Sequence, residues 1–197
     1  PDPIKESGGV NLYVYVENNP INFWDALGLR IRWKKRSHDV TDEELGKAKE
    51  LWRLAKTRRH ADGSVPCGVE KMKKIEDPTE LRTVTIVVGK GQNYASPSGR
   101  DRGWNDGVNY AATDAIIYFD PNDTGVLSDG TVKDPESNLV HEASHGYDMI
   151  KGQNPVNQKT REVRASNCEN NFRKAKKIQQ RKIYTSRQGK KWKLKQY

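Results

Sequence analysis

The sequence predicts an α+β fold, and three observations predict it. Two short β-branched runs, at 83–88 and 115–119, are too brief for helices and are rich in residues that suit a pleated surface. Three longer stretches carry helical spacing or helix caps. The 197 residues, 34 % hydrophobic and 31 % charged, allow one medium domain with a modest core and an appendage.

Residues 1–29 differ from the rest, with few charges, many Asn and Gly, and no apolar leader in the first eleven positions. Leu12-Tyr13-Val14-Tyr15-Val16 reads as a short strand, and Asn18-Asn19-Pro20 as the turn after it. The second unit is placed at 30–197. Thr41-Asp42-Glu43-Glu44 has the form of a capping box opening a helix to about residue 59, with Leu45, Ala48, Leu51, Trp52 and Ala55 as its apolar stripe. The run 83–88 is one strand and 115–119 a second, stopped by Asp120-Pro121. Between them 89–107 is rich in Gly, Ser, Asn and Asp, and reads as a long loop bordering a cleft. Asp134-Pro135-Glu136 places a cap and a first-turn proline at the start of a helix that ends at Gly152. A last helix is expected over 157–182, before a basic tail.

The penultimate helix carries His141-Glu142-Ala143-Ser144-His145. Residues four apart share a helical face, so both imidazoles can address one metal ion. Glu142 then stands beside the ion, where it can take a proton from a bound water and return it as an acid. Zinc suits this donor set and lowers the pKa of such a water to about 7. No His follows His145, so a later third ligand is acidic. Glu162 and Glu169, seven apart on the last helix, are the candidates, and whichever is not a ligand could orient a histidine. Tyr147 and Tyr184 are candidates to stabilise an oxyanion.

These residues carry a resemblance. Tyr118-Phe119-Asp120-Pro121-Asn122, the run from Leu139 through His145 to Asp148, and Glu162, Ala165, Glu169, Asn170 and Arg173 are similar to a group of bacterial effector zinc metalloproteases. The Glu162 segment resembles the gluzincin arrangement, which implies Glu162 as the third ligand, with Glu169 as the alternative. The resemblance implies a small zincin-like domain with a short β-sheet, strand 115–119 as its edge strand, and peptide-bond hydrolysis as its activity.

The leader carries a second one. Asp2-Pro3-Ile4, Gly8-Gly9-x-Asn11-Leu12-Tyr13-x-Tyr15, Asn18-Asn19-Pro20-x-Asn22 and Asp25-x-x-Gly28-Leu29 resemble the end of the core of Rhs-repeat polymorphic toxins. That resemblance implies a shell that cuts itself after Leu29, with Asp2 and Asp25 at the acidic positions of self-cleavage. It also implies a toxin delivered into a target cell to act in its cytoplasm, and a cognate immunity protein. Lys5 and Ala26 depart from the family's usual Gly and Pro.

Charge adds an alternative. Residues 173–197 hold eleven Lys and Arg and no acid, while the rest of the chain carries 24 basic against 26 acidic residues. Such a tail suits nucleic acid, an anionic membrane or an acidic partner such as the immunity protein, or is a plain solvated end. A nucleic-acid-degrading toxin is therefore the alternative function, although a magnesium nuclease wants clustered carboxylates rather than paired His. No apolar run approaches the ~18 residues of a membrane helix. Cys67 and Cys168, far apart and without CxxC spacing, read as two reduced, structural thiols.

Overall fold

A computed structural model describes residues 31–91, 93–98, 105–186 and 188–197. The leader strand and the positions Asp2, Asp25 and Leu29 lie outside the described residues. The elements run β1 (Ile31–Lys35), α1 (Asp42–Thr57), α2 (Cys67–Ile75), β2 (Val84–Val88), β3 (Tyr94–Ser98), β4 (Asp114–Phe119), α3 (Pro135–Ile150), α4 (Gln158–Ala175), β5 (Ile183–Thr185) and β6 (Lys191–Lys193). Four helices and a small sheet make the mixed α+β architecture that the sequence predicts.

The main sheet has the order β1-β2-β4-β3, with β1, β2 and β4 parallel and β3 antiparallel to β4. Val84 aligns with Ala115, Ile86 with Ile117 and Val88 with Phe119, so the period-2 pattern sends one set of side chains into the core. Trp33 on β1 meets Trp52 on α1 edge to face at 6.1 Å, and the Trp52 indole N–H donates to Glu76. The Thr41–Glu44 capping box forms as expected, both bonds present.

Three elements before α3 were not legible as such in the sequence, and neither were β5 and β6 in the C-terminal region. The nine residues of α2 bury Val69, Met72 and Ile75, a stripe too short to stand out. Strand β1 is flanked by charge. Strand β3 arises inside the stretch read as one loop, because Tyr94-Ala95-Ser96-Pro97-Ser98 becomes a strand only by pairing with β4. As a result, 115–119 is an internal strand and not the edge strand; the edge strand on that side is β3, with β1 at the opposite edge.

Helix α3 begins as expected: the Asp134 carboxylate accepts from the Ser137 N–H at 2.9 Å, and Pro135 occupies the first turn. It lies close on the sheet at Gly146, where an added Cβ would come 3.1 Å from Ile117 Cδ1. Gly68 plays the same part in α2, whose backbone rests on the Val140 side chain.

The C-terminal region corrects two expectations. Helix α4 stops at Ala175 rather than near 182, and the basic residues beyond it fold back instead of trailing as a tail. Asn170 fixes this return: its Nδ2 donates to Arg181 O at 2.7 Å and to Lys195 O at 3.0 Å, and its Oδ1 accepts from Arg181 N. Buried Arg173 donates to Val132 O and Gln179 O. Such polar anchors satisfy the buried backbone without any hydrophobic period to announce them. The cysteines are also corrected. Cys67 and Cys168 form a disulfide with Cα atoms 5.4 Å apart, joining the start of α2 to α4 across 101 residues of sequence. Sequence spacing alone could not bring them together. Among the described residues no helix is long and apolar enough to cross a membrane.

Candidate functional site

Helix α3 presents His141 and His145 on one face, their Nε2 atoms 3.2 Å apart. Glu162 enters from α4, with Oε2 3.3 Å from His145 Nε2 and 3.7 Å from His141 Nε2. Two imidazole lone pairs and a carboxylate oxygen so close in a largely buried site repel one another unless a cation or a proton lies between them. A tetrahedral zinc site with bonds of about 2.0–2.1 Å holds its ligand atoms roughly 3.3–3.4 Å apart, close to the edges of this triangle. The three residues therefore fit a divalent cation of that preference.

Glu169, the other carboxylate of α4, does something different. Its Oε2 lies 3.2 Å from His141 Nδ1, so it can accept an N–H there, and once the ring gives up its second proton the Nε2 lone pair is turned toward the triangle. Two arginines hold it: Arg173 Nε at 2.8 Å on Oε1 and Arg181 Nη1 at 2.9 Å on Oε2. Glu169 and Arg173 are each only 1 % exposed. Sequence reasoning counted both arginines in the basic segment; it singled out Arg173 beside Glu169 in the motif but missed Arg181 altogether. The i,i+4 spacing of Glu169 and Arg173 was the one signal available.

The electrostatics follow from this packing. Burial alone would push the His141 imidazolium down, but its bonds to Glu162 and Glu169 win and push it up to about 10 in the metal-free protein. Burial would raise Glu162 as well; hydrogen bonds to His141 and His145 hold it far below the ordinary carboxylate range instead. Glu169 is likewise lowered against its burial, chiefly by Arg181 and then by His141. Glu142 moves the opposite way. It is 7 % exposed, burial raises its pKa, and the carboxylates of Glu162 and Glu169 add to the rise against the pull of the two histidines. A carboxyl raised in this way is suited to exchanging a proton.

These groups line a cleft of about 790 Å³ that runs beside α3, with β3 along it and Asn138, Asn154, Arg161 and Thr185 among its walls. Tyr184, on β5, enters the same cleft. Its ring lies parallel to that of His141 at 6.4 Å and stacks on Trp192. Burial first, and the neighbouring Glu162 carboxylate next, raise its phenol, so it remains a hydrogen-bond donor. Tyr147 is placed elsewhere, which corrects its assignment as a catalytic group. It is absent from the cleft lining, packs against the hydrophobic core and has the ammonium groups of Lys71 and Lys74 at 5.5 and 6.0 Å from its ring. Two positions after His145, it projects about 200° around the helix from that residue.

Residues 60–177 match a family model, Peptidase_M91, described as effector protein. Neither a curated protein nor a solved structure matches the chain. The matched span runs from the end of α1 to the end of α4, so it contains His141, Glu142, His145, Glu162 and Glu169, and it stops short of Arg181 and Tyr184. With more than half of its length inside that match, the chain belongs to the Peptidase_M91 effector-protein family and holds an effector peptidase domain.

Proposed function

We propose that the domain is a zinc-dependent endopeptidase of zincin-like fold, with His141, His145 and Glu162 as the metal ligands and Glu142 as general base and acid. The observation that carries this reading is the triangle of His141 Nε2, His145 Nε2 and Glu162 Oε2, with sides of 3.2 to 3.7 Å. A zinc ion held there supplies Lewis-acid polarisation of a carbonyl and a water of lowered pKa. Glu142 takes a proton as the water oxygen bonds to the carbonyl carbon, and it passes that proton to the amide nitrogen as the C–N bond breaks. Tyr184, whose side chain lines the cleft beside His141, is assigned as the donor to the developing oxyanion. Glu169, with Arg173 and Arg181 behind it, keeps His141 in the metal-binding tautomer.

The substrate enters as an extended segment added to β3. Ala115 N–H donates to Thr83 O, so it points to β2 and away from its partner Pro97. Pro97 therefore sits at a position facing the open edge, where its missing N–H costs the sheet nothing. By period 2, Ala95 N–H and C=O and Pro97 C=O are left to pair with a peptide backbone.

The leader supports a place for this domain at the tip of an Rhs-type toxin, with domains at 1–29 and 30–197, release after Leu29 assisted by Asp2 and Asp25, delivery into a target cell, and an immunity protein as partner. The test is metal content and cleavage together. Protein purified without chelators holds about one zinc per chain and cuts target-cell proteins, and Glu142→Gln keeps the zinc while losing the cuts. Equal cutting by Glu142→Gln overturns the reading.

A further inference from the structure

The cleft continues past the triangle of His141, His145 and Glu162 toward the C-terminal end of α3. Met149, one turn beyond His145 on the same helical face, lines it there, with Pro97, Tyr110, Asn154 and Arg161. Hydrogen bonds tie these residues together. The Thr113 N–H donates to Met149 O at 3.1 Å and its hydroxyl to Ser98 O at 2.7 Å, which places this end of the cleft beside the end of β3. The Tyr110 N–H donates to Asn154 O at 2.8 Å, and Arg161 Nη1 donates to Pro155 O at 3.0 Å.

Two side chains here keep unused hydrogen-bonding capacity. Asn154 is only 4 % exposed, yet its Oδ1 is buried with no donor among the described residues. A buried acceptor left unpaired is costly, and in a cleft it marks a place that a ligand completes. Arg161 gives one N–H to Pro155 O, and its Nε stands 3.9 Å from Glu162 Oε1, too far for a hydrogen bond. Its remaining N–H groups have no acceptor among the described residues. Charge narrows the ligand. A carboxylate would join Glu142 and Glu162 in the same cleft, and a cation would meet Arg161. A neutral carboxamide avoids both: its NH2 donates to the Asn154 oxygen, and its own oxygen accepts from Arg161. The Asn154 amide carries an acceptor at one end and donors at the other, so it can pair with a carboxamide whichever way it is turned.

A peptide strand pairs more stably antiparallel than parallel, and laid antiparallel on β3 it has its N-terminal side at the Ser98 end. One helical turn is about 5.4 Å and an extended peptide rises about 3.4 Å per residue, so this end of the cleft lies about one or two residues from the reacting carbonyl. We infer that Asn154 and Arg161 form a subsite that selects a glutamine or asparagine side chain in the substrate, close to the scissile bond on its N-terminal side. This rests on the peptidase reading.

The test uses the zinc-loaded full chain and short fluorescent peptides that end in a hydroxamate, a zinc-binding group that leaves the residues before it on the N-terminal side. Each position near the hydroxamate is set in turn to Gln, Asn, Glu, Met or Lys, and matched controls end in a methylamide. Anisotropy titration is expected to show Gln or Asn at one position binding about 10- to 100-fold tighter than Glu or Met, the scale of hydrogen bonds left unmet in a buried site. Asn154→Leu and, separately, Arg161→Met are expected to remove that ratio, with zinc content and melting reporting on the fold. Arg161 is the less buried of the two, so its variant decides the matter if Asn154→Leu does not fold. Met binding as tightly as Gln, the result if a water fills the place beside Asn154, overturns the inference. So does Glu binding as tightly as Gln, or a ratio that survives both substitutions. If the hydroxamates bind no better than the methylamides, the metal reading fails instead, and the methylamide series still reports on the subsite. If neither series binds, the subsite falls with it.

Discussion

The Cys67–Cys168 disulfide joins two helices across 101 residues, and its removal is the sharpest single perturbation of the fold. In the chain-entropy account, closing a loop of about 100 residues removes roughly 4.7 kcal/mol of freedom from the unfolded chain at 25 °C. In a domain of about 150–250 residues each kcal/mol shifts the melting temperature by about 2–4 °C, so the expected loss on reduction or on Cys168→Ser is about 10–20 °C. The packing of these helices supports a folded reduced state, since Phe172, Val69 and Met72 are fully buried in the hydrophobic core. Calorimetric melts of oxidised protein, reduced protein and the Cys67→Ser/Cys168→Ser pair would measure it, with thiol titration confirming the redox state. Coincident melts, or two titratable thiols in protein prepared under oxidising conditions, would refute the reasoning. Because Cys168 immediately precedes Glu169, zinc retention in the reduced form separates a global staple from a local one.

Glu162→Ala is expected to abolish zinc binding with the fold intact, whereas Glu169→Ala keeps the site but weakens zinc by about 10- to 100-fold. Equilibrium unfolding should also show Glu169→Ala destabilised by about 3–5 kcal/mol, since it leaves two arginines buried without their carboxylate. Tyr184→Phe should lower kcat by about 10²–10³ with KM little changed, and Tyr147→Phe should leave kcat near wild type; steady-state kinetics on a cleaved substrate decides between them. Glu169 has a depressed folded pKa, so it adds stability above the ordinary value of 4.5 that is lost as pH falls below it. Denaturant titrations across acid pH should therefore show a shallower decline for Glu169→Gln. His141, pushed up to about 10 without metal, holds a proton at neutral pH, so zinc uptake should release about one proton at pH 7. Calorimetry in buffers of different ionisation enthalpy counts it.

The legible parts of this chain were those written in local or periodic chemistry. The capping box at Thr41, the Asp134-Pro135 start of α3, the strands near 83–88 and 115–119 and the i,i+4 histidines each depend on a few adjacent residues, and each forms. Glu162 and Glu169 were singled out because few carboxylates follow His145, but their division of labour depends on Arg181, which reaches Glu169 only after the chain reverses beyond α4. The disulfide and strand β3 were hidden for the same reason, since both exist only through partners distant in sequence. Tyr147 was misplaced because proximity to His145 in sequence says little about facing: two residues along a helix is about 200° of rotation.

The segment after α4 would complete the proposed catalytic centre, and this governs when that centre can first form. Arg181, which steadies Glu169, and Tyr184, beside His141, both lie downstream of every proposed metal ligand. A chain still being synthesised, or one ended prematurely before Arg181, holds His141, Glu142, His145 and Glu162 but leaves Glu169 without one of its two arginines and the cleft without its tyrosine wall. On the proposed reading, a product that stops before Arg181 is expected to be inactive in the cell that makes it.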